Sequence, residues 1–302
     1  MGIEFYLYLV TWSLVIIFFM AEHIEQPNIS GSTEITTETT LFAEPVAHIG
    51  GFTITNSLIN SWMAVLILVI FFILVGKKIK KIPRGIQNLF EIILEQALTL
   101  ADSITSDRKK SEKLLPITLA LFLFILVNNW LGLLPGMGTI GFVESEGGHN
   151  LFIPFFRGGT ADINTTLALA LIAVIGSHVV GVITVGAWGH LNKFVNLKAL
   201  AEIPGKIKND VSVVLVNPIK AFVGIVEFIG EIAKVASLSF RLFGNIFAGE
   251  VLLASMMALF AFFLPLPFMF LEIIVGLIQA LIFSLLTLVF MTIAMESHEE
   301  GH

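Results

Sequence analysis

The run Val235–Leu264 reads VASLSFRLFGNIFAGEVLLASMMALFAFFL, an apolar stretch in which Arg241 and Glu250 are the ionisable groups. A guanidinium in hydrocarbon costs several kcal/mol and cannot escape by deprotonating, so Arg241 reads as functional. The competing reading is a structural arginine paired to a neighbouring helix. Upstream the apolar character continues to Val211, so Val211 to Leu264 covers 54 residues. As one helix these residues would run about 80 Å, against a hydrocarbon thickness of about 30 Å. Such a helix cannot stand upright. Either it breaks, with Pro218, Gly224, Gly230 and Gly244 as candidate points, or it lies strongly tilted. Leu264-Pro265-Leu266-Pro267 then ends it and turns the chain, because proline disfavours helix at the preceding residue, and Phe268 to Met295 returns as its hairpin partner.

The rest of the chain is built for the same solvent. Hydrophobic residues make up 56% and charged ones 13% of 302 residues, with mean hydropathy +0.92, whereas soluble domains carry about 25% charge. There is no Cys, which excludes disulfides and thiolate metal sites. A net charge of -6 with dispersed basic residues gives no footprint for nucleic acid. Apolar runs long enough to span lie at Gly2 to Met20, Ile54 to Val75, Leu114 to Leu134, Ile163 to Ala187, the overlong Val211 to Leu264, and Phe268 to Met295. The predicted fold is therefore an all-α integral membrane protein of five to six membrane helices, with a long, strongly tilted C-terminal hairpin.

Lys and Arg set the orientation. None occurs in residues 1–53, nine lie between Gly76 and Lys113, one (Arg157) lies in the loop 135–160, and four lie between Trp188 and Asp210. The positive-inside rule places loops 76–113 and 188–210 of a multi-pass membrane protein in the cytoplasm. The acidic stretch Glu22 to Glu44 and the loop 135–160 face outside. Residues 1–53 divide off as a signal anchor or signal peptide followed by this acidic external segment. The first block lacks a basic n-region and carries Glu4, which favours an uncleaved anchor. Residues 54–302 form the membrane domain.

Between Ile86 and Ile104 the apolar residues Ile86, Phe90, Ile93, Leu94, Ala97 and Ala101 recur at helical spacing, with Gln87, Glu91, Glu95 and Asp102 off the stripe. This predicts an amphipathic helix on the cytoplasmic membrane face. The alternative is a helical hairpin packed on the bundle.

Helical rotation places the polar residues of the long hairpin. Glu227, Lys234 and Arg241 are seven apart and Asn245 follows four later, giving one polar stripe. Glu250 lies nine positions after Arg241, half a revolution away at 100° per residue, so the two face opposite directions. On the returning helix Glu272 and Gln279 share a face, and an antiparallel hairpin brings them near Glu250. Two carboxylates in low dielectric disfavour double ionisation, which suits proton exchange better than metal binding. Asn128, Asn129, Asp162, Asn164, Thr165 and Thr166 cluster at the outer ends of earlier spans, where they serve either as caps or as the lining of a hydrated path. His178 is read as a solitary, packed interior histidine.

At this point the residues carry a likeness. Ser237-Leu-Ser-Phe-Arg241-Leu-Phe-Gly-Asn245-Ile-Phe-Ala-Gly-Glu250 resembles the signature of subunit a of F-type ATP synthases. Asn129 with Leu133-Leu134-Pro135, the run Thr160-Ala-Asp162-Ile-Asn164, and Ile278-Gln279-Ala-Leu-Ile-Phe match in the right order, and the likeness covers about residues 50–297. The resemblance implies a proton-translocating stator with two offset half-channels, serving a rotating ring of small carboxylate-bearing subunits (subunit c). It implies further contacts with the peripheral-stalk subunit b, ATP chemistry on other subunits, and a place in the plasma membrane of a bacterium. Arg241 would be the essential arginine between the channels. Asn129, Asp162, Asn164, Asn245, Glu250, Glu272 and Gln279 would belong to the outer path, and Glu227, Lys234 and Ser237 to the inner one.

Two departures stand out. Family members often pair a carboxylate with a histidine where this chain has Glu250 and Glu272, and many bacterial relatives carry Asp at the position of Gly132. Proton or sodium coupling is left open by the sequence.

Two other function classes compete. A secondary transporter would bind solute between Arg241 and Glu250, but such folds commonly repeat their halves and no internal repeat is seen. A structural scaffold leaves the intramembrane charges unexplained. The sequence has no phosphate-binding loop, nucleophile elbow or zinc motif, so no cofactor or metal is expected; His298 and His302 in the C-terminal tail, four apart, are a weak metal signal.

Overall fold

The computed structural model describes residues 35–36, 40, 42–76, 85–134, 136–146, 149–194, 213–260 and 263–295. The first apolar block, the basic residues Lys77 to Arg84 and the C-terminal tail with His298 and His302 lie outside them. In chain order the elements are β1 (Ile35–Thr36), β2 (Pro45–Ile49), β3 (Phe52–Thr55), α1 (Asn56–Gly76), α2 (Ile86–Thr105), α3 (Arg108–Gly132), β4 (Gly141–Glu146) and β5 (His149–Pro154). A 3-10 turn at Gly159–Ala161 is followed by α4 (Ile163–Val185), α5 (Ala187–Phe194), α6 (Val213–Leu259) and α7 (Pro265–Met295).

Among the described residues, five helices are long and apolar enough to cross a membrane: α1, α3, α4, α6 and α7. The all-α membrane fold predicted from the apolar runs is the fold observed. The short strands were not anticipated. β2 and β3 form an antiparallel hairpin, and β5 lies between β4 and β1 in a small sheet. All of them precede α1 or connect α3 to α4, so they cap one end of the bundle. Asn56 fastens this cap to the first span. Its Oδ1 accepts from the backbone N–H of Glu44 (3.2 Å) and Ser57 (2.9 Å), and its amide donates to the Pro154 carbonyl at 3.3 Å.

The overlong run is a single unbroken helix. α6 has 47 residues, about 70 Å at 1.5 Å per residue, and neither Pro218 nor the glycines interrupt it. The prolines also sit differently from expectation. Pro265 is the first residue of α7, where its missing N–H removes no helical bond, so the turn occupies the residues just before it.

Four helices meet in one dry core. Leu121, Ile125 and Leu126 of α3, Leu169, Ala170, Ala173 and Val174 of α4, Leu238 and Leu242 of α6, and Ala280 and Phe283 of α7 are all buried together. Small residues on α4 let the helices approach, and the large side chains of α3, α6 and α7 fill the space. A second cluster joins Leu98 and Ala101 of α2 to Leu114 and Leu115 of α3 and to Leu288 and Met291 of α7. The amphipathic helix is thus present, and part of its apolar stripe packs on protein, as the helical-hairpin alternative described. The α2–α3 corner is closed by Ser106 in the left-handed conformation (φ 54°) and by Asp107, whose side chain accepts from the Lys109 backbone N–H at 2.9 Å.

Candidate functional site: two polar cavities divided by a dry core

A cavity of about 360 Å³ opens at the capped end of the bundle, and Glu44, Asn129, Gly132, Arg157, Glu250 and Glu272 are among its lining residues. Arg157 organises it. This side chain is 6% exposed, and its Nε and Nη2 donate to the Glu250 carboxylate at 3.1 to 3.3 Å. The remaining N–H groups donate to the carbonyls of Thr40 (2.7 Å) and Phe42 (3.1 Å) and to the Thr40 hydroxyl. A planar fork with five donors suits this mixed carboxylate and carbonyl set, which an ammonium would not span.

Glu250 and Glu272 line the same cavity, as the hairpin geometry predicts, but the partner of Glu250 is a cation. Sequence reasoning counted Arg157 as the single basic residue of an external loop and assigned it no role. Its signal was its solitude: it is the one Lys or Arg among the segments 1–53 and 135–160, on the same side as an unpaired intramembrane carboxylate.

Glu272 is 7% exposed, and its carboxyl lies over the backbone of Gly249, where an added Cβ would overlap it. The small residue before Glu250 is therefore what lets α7 bring its carboxylate against α6. Gly249→Val is expected to expel that carboxyl and destabilise the assembled protein by about 1–3 kcal/mol. The check is the melting temperature of the purified complex; an unchanged value would mean that Glu272 relocates freely.

Deeper in the bundle, Asn129 accepts from the Thr160 hydroxyl at 2.6 Å and donates to the Gly276 carbonyl at 3.0 Å. The Asn245 amide donates to Gln279 Oε1 at 2.6 Å. Gln279 Nε2 is buried without a hydrogen-bond partner among the described residues, in a polar setting of the sort that ordered water satisfies. Asp162 resolves as a helix cap. It accepts from the backbone N–H of Asn164 (3.2 Å) and from the hydroxyls of Ser57 (3.2 Å) and Thr165 (3.2 Å), away from the cavity. Asn164 itself is exposed.

A second cavity, about 160 Å³, lies at the opposite end, with His178, His190, Glu227, Glu231 and Lys234 among its lining. Lys234 donates to Glu231 Oε1 at 2.7 Å and lies 4.9 Å from the centre of the Phe290 ring. His178 is not solitary. One of its ring nitrogens is 3.0 Å from His190 Nε2, and the other is 3.5 Å from Glu231 Oε2. His190 comes from another helix, and a reversal at Gly186 brings it back beside α4.

Glu231 and Glu250 are 19 residues apart on α6, about 28 Å along its axis. Between them Leu238 and Leu242 plug the bundle together with Phe283. Arg241 is level with that plug but turned aside from it, onto the exposed flank of α6. It is exposed, donates to the Ser237 hydroxyl at 3.3 Å, and shares its face with Ala233, Ser237, Phe240 and Ala248, all exposed. Ser237 therefore lies beside Arg241 on the outer face of α6, whereas Glu227 and Lys234 turn into the second cavity. Arg241 lacks an ion-pair partner among the described residues, so the neighbouring-helix reading of this arginine finds no support.

Known proteins share this chain's sequence over most of its length. It is 33% identical to ATP synthase subunit a of Syntrophobacter fumaroxidans over 254 residues, covering 84% of this chain and 90% of the relative. It is 30% identical to the Gloeobacter violaceus subunit over 247 residues, covering 82% and 86%, and 28% identical to the Moorella thermoacetica subunit over 253 residues, covering 84% and 96%. The model of the family described as ATP synthase A chain matches residues 58–292, a range that takes in four of the five apolar helices almost whole, the fifth from its third residue, and the lining of both cavities except Glu44, Ile293 and Ala294. On that match, this chain belongs to the ATP synthase A chain family, the subunit a proteins of F-type ATP synthases.

Proposed function

We propose that this chain is the stator of the membrane motor, with the two cavities as offset half-channels and Arg241 as the divider between them. As a subunit a protein it is a multi-pass membrane subunit of the proton-translocating sector, not a catalytic one. The finer reading rests on one observation: two polar cavities at opposite ends of the bundle, separated by a dry core, with an arginine exposed sideways at the level of that core.

An ion entering the first cavity meets the buried side chains of Leu238, Leu242 and Phe283, and the hydroxyls buried near them, such as Ser239 and Thr166, bring no charge to carry it across. It must leave sideways, be carried past Arg241 on another body and re-enter near Lys234. A ring of small subunits bearing one carboxylate each meets that need. The exposed Arg241 favours the ionised form of a passing carboxylate and releases its proton, while the fixed charge repels hydronium and blocks leakage between the cavities. Asn129, Asn245, Glu250, Glu272 and Gln279 supply the outer path. Asp162 supports it indirectly by holding the start of α4, where Asn164 gives the capped backbone N–H. Glu227 and Lys234 supply the inner path, and Ser237 braces Arg241.

The basic loops 76–113 and 188–210 face the cytoplasm of a bacterial plasma membrane, and the strand cap with the first cavity faces outside. The exposed apolar face of α1, with Trp62, Leu66 and Ile70, is available to lipid or to the peripheral-stalk subunit b. Purification of the complex is expected to bring down a ring of carboxylate-bearing hairpins, and reconstituted vesicles should show proton flux independent of sodium. A complex that moves ions without any such ring would sink this reading in favour of a secondary transporter.

A further inference from the structure

The second cavity holds two histidines that the motor mechanism has not used. The chain arrives there by a deliberate reversal: Gly186 has φ +89°, a conformation that disfavours side chains, and its carbonyl accepts from the His190 N–H at 3.0 Å as α5 begins. α5 then folds back against α4, and Gly181 provides the room. A Cβ there would collide with the His190 ring. His190 is consequently 5% exposed while lying edge-on to His178, ring centres 5.3 Å apart.

The three side chains form a line. Glu231 Oε2 lies 3.5 Å from His178 Nε2, and His178 Nδ1 lies 3.0 Å from His190 Nε2. An imidazole can take a proton on one nitrogen and release another from the opposite one, and its ordinary pKa near 6.5 keeps both forms accessible at neutral pH. Two imidazoles in series, beginning at a carboxylate, have the connectivity of a proton wire. If the pair merely filled space, neither a nearby carboxylate nor a reversal that buries a ring against a bare glycine would be required.

Resting on the stator reading above, we propose that Glu231, His178 and His190 conduct the outgoing proton from the rotor to the cytoplasmic face, making His178 and His190 proton-carrying residues of the inner path. A proton released from the rotor carboxylate past Lys234 is taken by Glu231. Glu231 passes it to His178 Nε2, and His178 gives its Nδ1 proton to His190 Nε2. His190 Nδ1 is buried against Gly181 in this structure, so His190 releases its own Nδ1 proton to water only when the ring swings out toward the cytoplasmic end, and one proton in yields one proton out. Rotation of the rings restores the tautomers. The charged side chains facing the imidazoles, among the described residues lining the cavity, are Glu227, Glu231 and Lys234 of α6. α7 contributes Phe290, Ile293 and Ala294, and α4 contributes Ser177.

The test uses the whole ATP synthase in vesicles, with proton-driven synthesis measured against cytoplasmic-side pH at constant driving force. His178→Gln and His190→Gln are each expected to lower the rate at least about tenfold, and to remove an imidazole-range inflection from the wild-type pH profile. The double variant should be no slower than either single, and added imidazole buffer should restore part of the rate. Wild-type rate and pH profile in assembled His178→Gln would overturn the wire. If a glutamine variant fails to assemble, the wild-type pH profile decides, since absence of the inflection refutes the relay. Arg241→Ala in the same preparation separates the two levels of the reading. Loss there with unchanged histidine variants rejects the wire alone, and normal synthesis there rejects the stator assignment itself.

Discussion

Arg241→Ala is expected to abolish proton-driven ATP synthesis, by at least about a thousandfold, while the complex still assembles. A positioned charge that stabilises one protonation state at the moment of transfer typically controls rates over this range. Assembly survives because Arg241 contributes little to the fold. Its side chain is exposed and touches Ser237 through one 3.3 Å hydrogen bond, and surface substitutions of that kind stay within about 0.5 kcal/mol. On the proposed stator mechanism, the alanine variant leaves no fixed cation level with Leu238 and Leu242, so a rotor carboxylate would pass without losing its proton and hydronium would meet no barrier. Arg241→Lys is also expected to fail, because a desolvated ammonium sheds its proton where guanidinium does not. Synthesis rate, subunit content and passive proton leak in the same vesicles decide the matter. Coupled synthesis at the normal rate would remove Arg241 from the mechanism.

The second large effect is expected at Arg157. Arg157→Leu deletes the ion pair to Glu250 at 3.1 Å together with the bonds that tie residues Thr40 and Phe42 of the cap to the bundle. Breaking a buried pair costs about 3–5 kcal/mol. Glu250 retains 32% side-chain exposure, so water compensates in part and about 2–3 kcal/mol is the expected loss. Proton-driven synthesis should fall with it, because the first cavity loses both its organising charge and the bonds to its cap. Replacing Glu250 at the same time, as Arg157→Leu with Glu250→Gln, should recover stability without recovering transport. A double-mutant cycle on thermal unfolding of the complex measures the coupling, expected above about 1.5 kcal/mol. Additive effects would show that the two side chains act independently.

Legibility of the site followed sequence distance. Arg241 and Glu250 lie on one helix, so a rotation of 100° per residue sufficed to set them on opposite sides, and the structure places Arg241 outward and Glu250 inward. Glu250 and Glu272 required only a hairpin. Arg157 with Glu250 is separated by 93 residues, and no periodicity connects a loop residue to a helix face that far away. His178 with His190 is closer, 12 residues, yet the contact depends on a reversal at Gly186 and on space at Gly181, neither of which has a helical period. Asp162 was visible both as a cap and as a path residue. The hydroxyl of Ser57, 105 residues away, now holds it as part of the cap.

By itself the sequence determined the solvent and the order of elements: apolar runs of spanning length, a hairpin too long to stand upright, and a charge at Arg241 that lipid does not tolerate. These follow from local composition and helical geometry, which need no knowledge of neighbours. Tertiary structure alone decided where the protein is dry. Leu238, Leu242, Phe283 and the small residues of α4 look like any other apolar membrane residues until four helices close on them, because a plug between two cavities is a property of packing across helices. The same packing chose Arg157 for Glu250 and His190 for His178, turning isolated charges into two polar ends with one exposed arginine between them.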